Sequence, residues 1–161
     1  MSMPALLRAA CLRRMARVAA AAFDCAPHCI TDLDSFASFT AAQAREALAG
    51  AHDTSEIEGK LFDGARSLGR RLRFWLGIRT MRKAMSVARA LYRVMEIDFQ
   101  GDGAGRFAVS RCRFSSCYSP AACKLISSLD RGLLDGLTGG ARMAFTQRIT
   151  EGAAYCGGEV H

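Results

Sequence analysis

Histidine is scarce in this chain, acid is missing from two long stretches, and no apolar run is long. His28, His52 and His161 are the only histidines in 161 residues, and none lies within the stretch from Cys112 to Cys156. With all three outside that stretch, no Ser-His-Asp arrangement offers a rival enzyme there. No segment approaches the roughly 18 apolar residues that cross a bilayer. Nor is there a phosphate-binding loop, because the one glycine-rich run, GDGAG at 101–105, lacks both a following lysine and a strand–helix setting. Internal repeats and long linkers are absent too, so the composition, half apolar and 23% charged, describes one globular domain.

The first acidless stretch opens the chain. MSMPALLRAACLRRMARVAAAAF has arginines and no carboxylate before Asp24, which resembles a targeting peptide. Its uncharged run VAAAAF falls short of the roughly 7–15 residues of a signal core. We read an amphipathic helix instead, with Leu6, Leu7, Ala10 and Val18 inside and Arg8, Arg13, Arg14 and Arg17 in water, and a cytoplasmic protein. Residues 1–34 form a loosely attached helix and loop in this reading.

The second stretch, residues 64–95, carries nine basic side chains and no acidic one. The basic helices over 66–93 could meet nucleic acid or an anionic membrane surface. Two solvated helix faces are the simpler reading, because Phe74 and Trp75 sit side by side rather than interleaved as a base-stacking surface.

Seven cysteines are present. An odd count with no export signal argues against a secreted disulfide framework. Cys112, Cys117 and Cys123 lie five and six positions apart, without the paired short spacings of a zinc site. The compact CAPHC, with Cys25, His28 and Cys29, has no second ligand pair and reads as a loop broken by Pro27. Neither a metal nor another cofactor is called for.

Periodicity divides the chain into two halves. Up to Ile97 it is helical: Ser35 caps a helix ending at Gly50, and Asp53 with Glu56 caps another carrying Ile57, Leu61, Leu68, Leu72 and Trp75. Gly59, Gly64 and Gly69 leave that second helix either broken or closely packed. A further helix puts Ile78, Met81, Met85, Ala88, Tyr92 and Met95 on one face. After QGDGAG the period falls to two. RFAVSRC is a strand with Phe107 and Val109 on one face. Ser119-Pro120 starts a helix whose stripe runs from Ala122 to Leu137. RMAFTQRI is a second strand with Arg148 outward, and YCGGEV a third. The class is α+β: a helical N-terminal half, then a small antiparallel sheet with one helix inserted between its strands. Residues 105–160 bear the candidate site.

Three groups there carry chemistry. Cys112 closes a strand. Asp130 lies within about 50° of the centre of an apolar helix stripe. A carboxylate so placed must be hydrogen-bonded, paired or protonated. Cys156 rides the final hairpin, which returns toward the first strand. Cys117 and Cys123 read as packing residues, since free cysteine often serves as a small hydrophobe.

The order and spacing of these groups resemble the C-terminal part of the L-2-amino-thiazoline-4-carboxylic acid hydrolase family. Members carry a cysteine closing a strand, a helix containing an aspartate, and a last strand reading like T-I-A-x-G-x-x-x-C. Cys112 in RCRF matches the first, Asp130 in SSLDRGLLDGL the second, and Ile149, Gly152 and Cys156 in RITEGAAYC the third. The likeness spans residues 107–156. Ser127 stands where members often have a cysteine, and Gly157 where they tend to have an acid.

The resemblance implies hydrolytic opening of a cyclic amidine, giving N-carbamoyl-L-cysteine from a small carboxylate-bearing substrate. On that expectation Cys112, its thiol made acidic by Arg113, attacks as a thiolate. Asp130 is the acid or base, and Cys156 completes the catalytic group. Arg148 clamps the substrate carboxylate, with Gly152 and Tyr155 also at the substrate. The alternative is a non-catalytic thiol-rich domain that binds a metal, senses redox state, or meets an anionic partner through its basic helices.

Overall fold

A computed structural model describes residues 3–26, 30, 32–50 and 53–161, with side chains from residue 9 onward. The side chains of Leu6, Leu7 and Arg8, together with His28, Cys29 and His52, therefore lie outside the described residues. Four helices come first: α1 (Met3–Ala22), α2 (Leu33–Gly50), α3 (Ser55–Trp75) and α4 (Met81–Val94). Strands β1 (Ile97–Gly101) and β2 (Arg106–Cys112) follow, then α5 (Pro120–Ile126), α6 (Ser128–Thr138), β3 (Met143–Gln147) and β4 (Cys156–Val160). The class is α+β, as the change of period implies.

Local chemistry explains the starts. Asp32 caps α2, its carboxylate accepting from Ser35 N at 2.7 Å, so the helix begins before the expected cap at Ser35. Asp53 accepts from the Ser55 backbone and hydroxyl ahead of α3, while Glu56 turns to Lys60 instead of closing a capping box. Ser119 caps α5 as its sequence indicates, accepting from Ala122 N with Pro120 in the first turn.

The helices pack more closely than ordinary side chains allow. A Cβ on Gly132 of α6 would fall 2.1 Å from Phe62 O of α3, and one on Gly136 would fall 2.4 Å from Arg66 O. Backbone therefore lies directly on backbone, and α3 runs unbroken through its glycines, of which Gly64 and Gly69 are closely packed while Gly59 faces open space. Across that crossing Arg66 Nε donates to Asp135 at 2.7 Å.

Helix α1 is no loose appendage. Leu12, Ala16, Ala19 and Ala20 are buried in the same apolar cluster as the sheet. Its wet face is as read, with Arg13, Arg14 and Arg17 exposed. The small alanines let α1 approach closely, and Val18 sits over Gly64 of α3.

The sheet is antiparallel in the order β1-β2-β4-β3. Strand β1 was not legible, since its five residues IDFQG follow the helical face of α4 without enough alternation to be seen. Phe99 on β1 stacks on Tyr92 of α4 and on Phe107 of β2, at ring separations of 4.8 and 5.8 Å. Phe107 meets Phe145 of β3 edge-on at 5.2 Å. These two reach each other across β4 because both pair with Gly158, where a Cβ would come within 2.7 Å of the Phe107 ring. Each aromatic pair adds roughly 0.5–1.5 kcal/mol beyond burial.

Two corrections bear on the site. The inserted helix is two helices, parting at Ser127, whose hydroxyl donates to Cys123 O one turn back. Such bonding bends helices. Arg148 points inward, only 9% exposed, instead of outward. The pairing of β3 with β4 slips between Phe145 and Gln147, and an extra residue reverses which side chains face the core.

Candidate functional site

A cavity of about 120 Å³ opens between α1, α4, the end of β2 and the α5–α6 pair. Cys112, Asp130 and Cys156 all line it. An apolar cavity of this order holds a single small ring.

Asp130 is anchored from α4. Tyr92 Oη donates to its Oδ1 at 2.7 Å. Burial pushes the carboxyl up to about 6, against the Tyr92 hydrogen bond and the charges of Arg148 and Arg131, which pull it down. Asp130 is half-buried and lines the cavity. At neutral pH it is mostly ionised, yet it holds a proton at mildly acidic pH. Tyr92 itself is driven well above the usual phenol range, by burial first and then by the Asp130 charge, so it stays a donor. Replacing Tyr92 by Phe is expected to raise the Asp130 pKa further. It should also cost about 1.5–3 kcal/mol, because a charge-accepting bond is lost. Carboxyl titration by NMR alongside denaturant unfolding checks both.

The thiols do not behave as the sequence indicates. Burial raises Cys112 to about 12, and the nearby Asp130 carboxylate adds to the rise. Arg113 does not offset this. Its guanidinium pairs with Asp34 of α2 and, at 3.4 Å, with Glu96, and it does not line the cavity. An arginine-activated Cys112 thiolate is thus corrected to a neutral thiol. Cys156 is also raised by burial, moderated by the Ile149 N–H donating to its sulfur at 3.3 Å. Cys123 and Cys11 line the same cavity, whereas Cys117 is exposed rather than packed. Among the described residues no three His, Cys, Asp or Glu side chains converge closely enough to hold a metal ion.

Arg148 stands behind Ser127, with Nη1 donating to Ser127 Oγ at 2.6 Å and lying 3.7 Å from Cys123 Sγ. Its guanidinium covers the Phe145 ring at 3.8 Å, a cation–π contact. Among the described residues no carboxylate forms an ion pair with it.

No family model matches the chain, and no curated protein does.

The other two expected substrate contacts lie elsewhere. Gly152 ends a short 3-10 turn at φ 92°, with open space around it. Tyr155 is 45% exposed and covers Gly157. Neither lines the cavity. They fail because matching a strand pattern assumed that the residues before β4 were still strand, whereas Ile149–Glu151 form a turn. Tyr92 and Ser127 were missed. Tyr92 read as one more apolar-face residue, and only a buried carboxylate opposite it gives its hydroxyl a purpose.

Proposed function

We propose that this cavity is the reaction site of a hydrolase that opens a small cyclic amidine, in the manner that the resemblance to L-2-amino-thiazoline-4-carboxylic acid hydrolases implies. The observation that carries the reading is Asp130: a carboxyl titrating near 6 and held by Tyr92 on a thiol-lined cavity the size of one small ring. Water adds at the amidine carbon, the ring C–S bond breaks, and the sulfur leaves with a proton. For L-2-amino-thiazoline-4-carboxylate the product is N-carbamoyl-L-cysteine, and water supplies every added atom.

Asp130 suits both proton transfers. As a carboxylate it takes a proton from the attacking water, and as the resulting acid it returns one to the departing sulfur. Cys112, protonated at physiological pH, serves this scheme as a donor at the cavity wall rather than as the nucleophile. Arg148 does not itself line the cavity; from behind Ser127, and without a carboxylate partner among the described residues, its guanidinium lends positive charge to the side where a substrate carboxylate would lie.

The test is incubation of the purified chain with L-2-amino-thiazoline-4-carboxylate, with chromatography of N-carbamoyl-L-cysteine. Turnover should rise with pH through an apparent pKa near 6, because the base must be ionised. Cys112→Ala should keep part of it. A parent chain that makes no product at any pH refutes the proposal.

A further inference from the structure

The far end of α3 carries a surface that the cavity chemistry does not use. Phe74 and Trp75 are each 80% exposed, and Leu76, which ends the helix, is 50% exposed. Three adjacent large apolar residues in water are costly, and such a patch marks a contact surface. Arginines surround them. Arg66, Arg70, Arg73 and Arg79 line one cleft beside Phe74, of about 710 Å³. Arg71 joins Arg66 and Arg70 in a second cleft bordered by Phe74 and Trp75.

Little of this charge is neutralised at home. Among the described residues each cleft has one carboxylate on its wall: Asp135 in the first, already engaged by Arg66 at 2.7 Å, and Asp63 in the second, against three arginines. Arg73 donates to the carbonyl of Leu137 at 3.1 Å, which leaves its charge in place. Among the described residues Arg70, Arg71 and Arg79 form no ion pair.

From this pairing of a bare aromatic tip with a guanidinium collar we infer that the α3–α4 corner docks on an anionic lipid bilayer. Phe74, Trp75 and Leu76 enter the headgroup boundary, and the arginines hold lipid phosphates. Tryptophan favours that boundary because one end of its ring is apolar and the other donates a hydrogen bond. Basic residues near an anionic leaflet each strengthen binding about fivefold. A nucleic acid fits less well: Phe74 and Trp75 meet edge-on at 82°, which offers stacked bases no parallel platform.

The chain contains a single tryptophan, so its fluorescence reports on this corner alone. The full-length protein is titrated with vesicles of phosphatidylcholine containing phosphatidylserine, with vesicles of phosphatidylcholine only, and with a single-stranded oligonucleotide. Co-sedimentation and a blue shift of Trp75 emission are expected with the serine-containing vesicles, weakened by salt. Arg70→Glu with Arg71→Glu should lower the partition coefficient at least 25-fold, from about fivefold per charge. Phe74→Ser should lower it while leaving the circular dichroism melt unchanged, since the side chain packs little. No blue shift with anionic vesicles overturns the inference. So does an equal response to neutral vesicles, tighter binding of the oligonucleotide, or a lipid-independent blue shift that grows with protein concentration.

Discussion

The chain carrying Asp130→Asn is expected to be more stable than its parent at pH 7 and to have lost the proposed activity. In the folded protein burial raises the carboxyl from 3.8 to about 6. The fold thus binds that proton more tightly than the unfolded chain does. The stability tied to the protonated form is complete below pH 3.8 and is lost as pH rises through about 6. At neutral pH the ionised group costs up to about 3 kcal/mol. Asparagine has no charge to desolvate and still offers an oxygen to Tyr92, so the variant should gain about 1–3 kcal/mol. Denaturant unfolding of both chains from pH 3 to 8, the range being about that spanned by the two pKa values, gives the difference curve. It should sit near zero in acid, rise between the two pKa values and then level off. Turnover of the thiazoline substrate should fall by roughly 10²–10⁴-fold, the usual worth of a general base. A variant less stable than the parent at pH 7 would mean that the Asp130 charge is compensated by its surroundings.

Gly132→Ala is expected to have the largest effect on stability, with a sign opposite to that of helix propensity. In an exposed helix the exchange gains about 1 kcal/mol. Here the new methyl meets the backbone of α3, with Phe62 O at 2.1 Å and Phe62 C at 2.9 Å. Backbone cannot rotate away as a side chain can, so α3 and α6 must separate and loosen the core between them. The cost should reach about 3 kcal/mol or more. Gly59→Ala, on the same helix pair with nothing within 4 Å, is the control and should stabilise by about 0.5–1 kcal/mol. Equal midpoints for the two variants in urea would mean that the helices do not cross this closely.

Much of the architecture was legible, and the places where reading failed share a cause. Phe107 and Val109 alternate cleanly and face the core. Ser119 and Pro120 announce α5 because a hydroxyl cap and a fixed φ act within one turn. Arg148 was misread because one extra residue in β3 cancels the alternation, and no local signal marks the slip. The break at Ser127 was missed for a similar reason: a serine pattern is compatible with both a straight and a bent helix.

The amino-acid order alone determined the helical half and the strand-bearing half, the basic block with no acid in it, and the odd position of Asp130 on an apolar stripe. Each of these follows from neighbours within a few turns or from composition. Only the tertiary structure decided what that carboxyl meets, because Tyr92 is 38 residues away in sequence. It also decided that Cys112 stays protonated while Arg113 serves Asp34 and Glu96 instead. Burial and charge act through space, so the proton affinities of these groups depend on the packing of segments that the chain keeps far apart.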